Sequence, residues 1–298
     1  MQRTYTYKCF GLCFEVPFEI PYLINSTNAP QVWVSFGTTP KSLDITTQTG
    51  PYYELNANEF LMSVDDVAKY YTTKNKVIIE PVSDVPNSEI SVFFLGSVMG
   101  FLLQRNNILP FHGSAIRKNH NTIIFTGNSG AGKSTIAAYF VQQGWDLIAD
   151  DICAIDIDDN KLCLHHGIQR SKLWNQSIRK LSLHDVSKLR VRESMEKFHV
   201  KIDECENTGI SNPLLIVNLR IHNKPKVEIK EINGLHKFQS IQQNVYRKLF
   251  CTENQTKFFF PHLQKLSEIK LIRIFRPSQG FFHQEIYKHV NNQINHAQ

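Results

Sequence analysis

The hydrophobic positions of the first 86 residues fall in short runs that are rich in β-branched and aromatic side chains. Pro, Gly and Asn interrupt these runs at close intervals, which is typical of strands separated by turns. The clearest predicted strands are Gly11–Val16, Gln31–Phe36 and Lys76–Pro81. The pattern therefore predicts a small β-rich N-terminal region over residues 1–86.

The longest apolar run of the chain, Val92–Leu103, follows this region. It is shorter than the roughly 20 residues that a membrane-spanning helix needs. We therefore interpret Asn87–Asn106 as a helix buried in a protein core. Two strand-like runs come next, Ile108–Ile116 and Thr122–Phe125, with a polar turn between them.

A strand–helix–strand unit is predicted around Thr122–Phe125. This strand leads into a glycine-rich loop, then into a helix from Lys133 to about Gln143 and a strand over Asp146–Asp150. Such a unit is the expected setting of a nucleotide site in an α/β fold. Further strands are predicted at Pro213–Leu219, Lys226–Ile232 and Ile269–Phe275, and further helices at Leu235–Phe250, around Leu263 and at Phe282–Ile294. We predict an α/β fold with one catalytic domain over residues 87–298.

The loop Gly127–Ser134 reads GNSGAGKS and matches the P-loop pattern GxxxxGK[ST]. Its glycines let the backbone curl so that successive amides face phosphate oxygens at the N-terminus of the next helix. Lys133 is expected to bridge the β- and γ-phosphates, and the Ser134 hydroxyl to bind Mg²⁺. The predicted nucleotide-binding residues here are Gly127, Asn128, Ser129, Gly130, Ala131, Gly132, Lys133, Ser134 and Thr135. A chance Gly/Ser turn is the alternative, but the apolar run before the loop and the helix-forming run after it favour ATP and Mg²⁺.

Two adjacent carboxylates, Asp150 and Asp151, follow the predicted strand after the P-loop helix. Ligands of open α/β sheets bind at the carboxyl ends of strands, so these side chains are expected to approach the γ-phosphate. Adjacent strand residues point in different directions. One carboxylate can therefore lie in the Mg²⁺ shell, while the other accepts the proton of an attacking hydroxyl. A helix cap or a solvated turn is the alternative interpretation.

His112 lies just before the strand that leads into the loop, and Gly113 beside it allows a close backbone approach. A lone histidine after an apolar stretch is more often structural. The order of histidine, P-loop and Asp-Asp along the chain instead favours an imidazole that orients or tunes a carboxylate base.

The composition indicates the cellular compartment of the protein and argues against some classes of partner. The net charge of +6 is spread along the chain, which permits an anionic ligand. Because no RNA-binding, zinc-finger or helix-turn-helix signature accompanies it, we predict no nucleic-acid partner. The six cysteines form no CxxC pair, and the first residues lack an apolar signal segment. These features predict a cytoplasmic protein with free thiols and no membrane association.

His112-Gly113, the GxSGxGKS loop and Ala149-Asp150-Asp151 together resemble the catalytic domain of the HPr kinase/phosphorylase family. The resemblance is specific over about residues 105–156. The segment Gly167–Trp174 and the pair Arg276-Pro277 are similar to the family's compact branch, which includes kinases encoded beside lasso-peptide genes. The resemblance implies a P-loop, HPr-kinase-like core in which Asp151 is the base and His112 assists it. Asp150 is then the carboxylate assigned to Mg²⁺, together with Ser134. It also implies a peptide or protein substrate bearing a serine, and it leaves a homo-oligomer open.

The chain also departs from the full family. It lacks a counterpart of the family's Glu-bearing segment and of a later Arg-containing motif. The second Mg²⁺ ligand and the reverse, phosphorylase reaction therefore stay open. Arg170 and Lys172 either contact phosphates or the incoming peptide, or form a solvated basic turn.

Three functions remain after the sequence analysis. The first is an ATP-dependent serine kinase acting on a peptide or protein, with His112, Lys133, Asp150 and Asp151 as catalytic residues. The second is a small-molecule hydroxyl kinase, for example one acting on free serine, with the same catalytic set. The third is a non-catalytic regulator that senses nucleotide, although sensing needs no base.

Overall fold

The computed structural model describes residues 3–168, 170–174, 178, 181, 186–190, 197–201 and 213–295. For residues 170–174, 186–190, 197–201 and 295 the description covers the backbone alone. The chain forms two compact units. Unit 1 consists of Met1–Pro110 with Arg247–Phe259, and unit 2 consists of Phe111–Tyr246 with Phe260–Gln298.

Unit 1 contains an eight-stranded sheet with the order β1-β2-β3-β8-β7-β6-β5-β4. Its strands are β1 (Tyr5–Cys9), β2 (Leu12–Val16), β3 (Val32–Phe36), β4 (Gln48–Gly50), β5 (Tyr53–Leu55), β6 (Phe60–Val64), β7 (Ala68–Thr72) and β8 (Lys76–Pro81). Strand β3 is parallel to both of its neighbours, and the other pairs are antiparallel. The predicted β-rich character of this part of the chain is confirmed.

The buried helix predicted after residue 86 is present and belongs to unit 1. It consists of α1 (Asn87–Phe93), a π-helical turn (Phe94–Val98) and α2 (Met99–Arg105). Its aromatic side chains pack on the sheet, with Phe94 edge-on to Phe14 at 5.5 Å between ring centroids and Phe101 stacked on Phe60 at 5.3 Å. Because this packing ties the helix to the strands, the predicted boundary at residue 86 falls inside unit 1.

A segment that is distant in sequence completes the core of unit 1. The Phe250 ring lies 5.1 Å from the ring of Tyr53 and 4.8 Å from that of Phe60. The buried guanidinium of Arg105 donates to the carbonyl oxygens of Phe250 and Asn56. Segment 247–259 therefore packs as an integral part of this unit.

Unit 2 is built on a second, mixed sheet with the order β13-β12-β9-β10-β17-β19-β18, in which β11 also pairs with β9. The strands are β9 (Leu109–Lys118), β10 (Asn121–Gly127), β11 (Asp146–Ala149), β12 (Ile152–Asp158), β13 (Lys161–His165), β17 (Pro213–His222), β18 (Glu228–Glu231) and β19 (Lys270–Pro277). Three further strands, β14 (Arg170–Trp174), β15 (Val186–Arg190) and β16 (Lys197–Lys201), form a small separate sheet. The overall architecture is mixed α/β.

Strand directions in unit 2 bring several strand ends to one edge. Strands β10 and β11 are both antiparallel to β9 and so run in the same direction, and β17 is parallel to β10. Helix α3 (Lys133–Gln142) connects β10 to β11. The carboxyl ends of β10, β11 and β17 therefore point the same way, and we call this side of the sheet the carboxyl edge.

The remaining α-helices are α4 (Gly234–Gln242), α5 (Glu253–Glu268) and α6 (His283–Asn295), and Lys248–Phe250 forms a 3-10 helix. Helices α3 and α6 share a core with one face of the unit 2 sheet. Its side chains include Ile123, Phe125, Ile136, Phe140, Val217, Leu219, Ile274, Ile286 and Val290. None of the helices in the described part of the chain is both long and apolar enough to cross a membrane.

Several predicted element ends differ from the structure, and two of them lie next to the site described below. The predicted helix Leu235–Phe250 ends instead at Gln242, because the Asn244 side chain donates to the Ser240 carbonyl and Arg247 adopts a left-handed backbone with φ 50°. The strand predicted to reach Asp150 ends at Ala149. A kink at the two aspartates then separates it from the next strand.

Candidate active site

The glycine-rich loop runs from the end of β10 to the first turn of α3. Gly127, Gly130 and Gly132 have φ values of 134°, 80° and 99°, a region that other residues rarely adopt. At Gly127 a Cβ atom would also overlap the carbonyl oxygen of Leu219 on β17. Glycine is therefore required at this position both for its backbone conformation and for the close approach of the neighbouring strand.

Lys133 lies inside the curve of this loop. Its side chain is buried, and its Nζ donates to the carbonyl oxygens of Gly127 at 3.0 Å and Asn128 at 3.2 Å. A buried ammonium held by neutral carbonyls is well suited to an incoming anion.

Arg276 holds the loop from β19. Its Nε donates to the Ala131 carbonyl at 2.9 Å, and its Nη2 donates to the Gly130 carbonyl at 3.2 Å. Burial lowers the pKa of Arg276 from its usual value. Since the guanidinium bonds two consecutive loop carbonyls, it limits the conformations that the loop can adopt.

Asp150 binds two hydroxyl groups with one carboxylate oxygen. Its Oδ1 accepts from Ser134 Oγ at 2.8 Å and from Ser114 Oγ at 2.6 Å, and the residue is almost fully buried. Ser134 comes from the start of α3 and Ser114 from β9. Sequence reasoning identified Ser134 but missed Ser114, because nothing distinguishes this serine from any other strand residue.

His112 and Asp151 also come together, although 39 residues separate them. The Nδ1 atom of His112 lies 3.0 Å from the Asp151 carbonyl oxygen and 3.5 Å from its carboxylate Oδ1. Both neighbours are acceptors, so Nδ1 carries the hydrogen when the ring is neutral. Burial, and next the charge of Lys133, lower the pKa of His112 from its usual value of 6.5, which favours the neutral imidazole.

The backbone around this pair is constrained. Asp151 has φ 75°, an uncommon value for a residue other than glycine. A Cβ at Gly113 would come within 2.8 Å of the Phe125 carbonyl oxygen. The close backbone approach expected at Gly113 is therefore confirmed.

Asn244 connects the histidine to the loop, and sequence reasoning did not assign it a role. Its backbone carbonyl accepts from the His112 amide at 2.7 Å, and its side-chain Oδ1 accepts from the Gly127 amide at 3.2 Å. The Tyr246 ring lies 5.8 Å from the His112 ring. The turn after α4 therefore positions both His112 and the first residue of the loop.

The other residues predicted to bind nucleotide differ in their exposure to solvent. Asn128 and Ser129 are exposed at the tip of the loop, and Thr135 is half-buried in the first turn of α3. Arg170 begins β14, but its side chain, like that of Lys172, lies outside the described part of the chain.

The oxygen ligands at Asp150 and Ser134 match the chemistry of Mg²⁺. A carboxylate and a hydroxyl 2.8 Å apart are hard ligands, and Mg²⁺ commonly takes only one or two protein oxygens, with water and phosphate completing its shell. Among the described residues, no group of three or more His, Cys, Asp and Glu side chains is arranged to hold a metal ion. The carboxylate and hydroxyl present therefore fit the small number of protein ligands that Mg²⁺ commonly takes.

Comparison with models of known protein families and with curated proteins finds no match. Among solved structures, the chain is distantly similar to the HPr(Ser) kinase/phosphatase from Coxiella burnetii. The similarity covers 63% of this chain and 93% of that protein, with 10% sequence identity and a TM-score of 0.31.

Proposed function

We propose that this protein is an ATP-dependent kinase that transfers the γ-phosphoryl group to the serine hydroxyl of a peptide or protein. One observation carries the proposal. Residues from three stretches of chain meet at the carboxyl edge of the unit 2 sheet. Ser134 of the loop bonds Asp150, His112 contacts Asp151, and the charge of Lys133 acts on His112.

The loop supports nucleotide binding. Its backbone curls around the Lys133 ammonium, and α3 begins directly after it. A helix N-terminus and successive backbone amides favour phosphate groups. When bound, Mg²⁺ neutralises phosphate charge, and Asp150 and Ser134 would hold it.

The aspartate–histidine pair supports phosphoryl transfer rather than nucleotide sensing. Transfer to a hydroxyl requires a group that accepts the hydroxyl proton as the oxygen attacks. The carboxylate of Asp151 is partly exposed, which suits contact with a substrate, and the Nδ1–H of His112 points towards acceptor oxygens of this residue. In the proposed reaction Asp151 accepts the proton, His112 holds Asp151 in place, and Lys133 balances charge on the transferred group.

The test is incubation of the purified protein with ATP labelled on the γ-phosphate, Mg²⁺ and a panel of acceptors. The panel contains serine-bearing peptides, proteins and free serine. Label on a peptide or protein serine is the expected result. Label on free serine alone selects a small-molecule kinase, and tight ATP binding without label on any acceptor selects a nucleotide sensor.

Substitutions then test the assigned roles. We expect Lys133→Ala to abolish transfer and Asp151→Asn to reduce it by about 10²- to 10⁴-fold, the usual contribution of a general base. ATP binding should stay largely intact in Asp151→Asn. Asp158→Asn, which makes the same change on an exposed strand end, is the control. Full activity of Asp151→Asn would remove Asp151 from the role of base.

A further inference from the structure

Two arginines of unit 2, Arg220 on β17 and Arg273 on β19, converge on one buried amide. The Nε of Arg273 donates to Asn218 Oδ1 at 3.0 Å, and the Nε of Arg220 donates to the same oxygen at 3.2 Å. Asn218 is fully buried between them. We call Arg220 and Arg273 the arginine pair.

The orientation of Asn218 is determined by its partners. Its Nδ2 donates to Thr126 Oγ1 at 3.0 Å, which turns Oδ1 towards the two guanidinium groups. Guanidinium nitrogens can only donate, so the opposite orientation of the amide would leave donors facing donors. Asn218 Oδ1 therefore holds both guanidinium groups through their Nε atoms, and their Nη atoms extend beyond the amide.

The pair carries two positive charges. Across the described residues, neither guanidinium lies within ion-pair distance of a carboxylate, and the other bonds of the pair go to Asn128 Oδ1 and Ser240 Oγ. Burial and the charge of Arg220 lower the pKa of Arg273. Holding two like charges against one neutral oxygen is unfavourable, and an anion bound between them would offset this cost.

The pair lies beside the glycine-rich loop. Asn218 is in register with Thr126, one residue before Gly127, and Arg220 Nη1 donates to Asn128 of the loop at 2.9 Å. Both arginines are only partly buried, so a ligand can reach them. A guanidinium group can bind an oxyanion through two parallel hydrogen bonds, one to each of two oxygens. The single amide oxygen of Asn218 cannot accept hydrogen bonds in this way.

We propose that Arg220 and Arg273 form a binding site for an oxyanion beside the glycine-rich loop. The oxyanion belongs either to the phosphate chain of a bound nucleotide or to a carboxylate of the phosphoryl acceptor. In both cases Asn218 preorganises the site, because its Oδ1 holds the two guanidinium groups side by side before the ligand binds.

Equilibrium binding of inorganic phosphate and of acetate to the full chain tests the proposal. The measurement is made in a Lys133→Ala background, which weakens phosphate binding by the loop itself. Adding Arg220→Gln and Arg273→Gln is expected to lower the affinity for the preferred ion by about tenfold or more, the loss expected for charge-assisted bonds. A preference for phosphate identifies the nucleotide as the source of the oxyanion, and a comparable affinity for acetate identifies the acceptor.

Two controls keep the result interpretable. Lys118→Gln also removes one positive charge, but at the sheet edge opposite the carboxyl edge. This variant is expected to leave the affinity for the ion unchanged. Arg220→Lys with Arg273→Lys keeps the charge but loses the planar guanidinium groups, and should give an intermediate affinity. Thermal unfolding checks that this variant is folded. Equal affinities with and without the arginine pair would overturn the proposal. Because no turnover is needed, this result does not depend on whether the protein transfers phosphate.

Discussion

Asp150 illustrates what single residues contribute to the site. Its carboxylate is almost fully buried, and one of its oxygens accepts hydrogen bonds from both Ser134 and Ser114. Such charge-assisted bonds offset the cost of removing a carboxylate from water. The spacing of the loop motif indicated Ser134. Ser114, in contrast, reaches the carboxylate only because β9 pairs with β11.

At the same scale, the low pKa of His166 leads us to expect that acid lowers the stability of the fold. Burial, and next the charge of Arg117, lower the pKa of His166 from 6.5 to about 4. Between these two values the unfolded chain binds more protons than the folded one, so the free energy of unfolding falls as the pH falls through this range. We expect His166→Gln to flatten this decrease in denaturant titrations between pH 7 and pH 4.

The exposed His120 provides the matched control for this titration. His120→Gln makes the same change at an exposed position and is compared with the wild type in the same titration. If His166→Gln retained the full wild-type slope, another group would be responsible for the acid sensitivity.

At the scale of elements, the loop between β10 and α3 depends on glycine at some positions more than at others. At Gly127 the backbone has a φ of 134°, and the Cβ of an alanine would overlap the Leu219 carbonyl oxygen. At Gly130 the φ is also positive, at 80°, but a Cβ would meet no atom within 4 Å. We expect Gly127→Ala to lower the free energy of unfolding by about 3 kcal/mol and Gly130→Ala by about 1 kcal/mol. Urea unfolding measures both values, and equal losses would contradict the structural reason.

The turn after α4 gives a second prediction at this scale. Asn244→Ala leaves the buried Gly127 amide without its acceptor, which costs about 1–3 kcal/mol, and it loosens the entry to the loop. We expect weaker ATP binding by calorimetry and slower phosphoryl transfer. Gln243→Ala, at the exposed neighbouring position, should affect neither. Unchanged ATP affinity in Asn244→Ala would show that this contact does not position the loop.

At the scale of the whole molecule, unit 1 combines segments that are far apart in the chain. Phe250 is 2% exposed, and its ring packs against rings of the N-terminal sheet, while the adjacent Leu249 is 68% exposed. We expect Phe250→Ala to destabilise the protein by about 3–5 kcal/mol, as for other buried aromatic residues. Leu249→Ala should change the free energy of unfolding by less than about 0.5 kcal/mol. Thermal and denaturant unfolding compare the two variants, and similar losses would show that segment 247–259 is not part of this core.

The features that the sequence by itself determined are local. The short β-rich runs, the helix after residue 86 and the strand–loop–helix around Gly127–Ser134 were all predicted, because periodicity, turn residues and motif spacing act within about 20 residues. The tertiary structure alone decided which distant groups meet. It placed Ser114 on Asp150, Asn244 between His112 and Gly127, Phe250 in unit 1, and Arg220 with Arg273 on one amide. These contacts depend on strand pairing and on the packing of distant segments, and no local pattern of hydrophobic and polar residues specifies them.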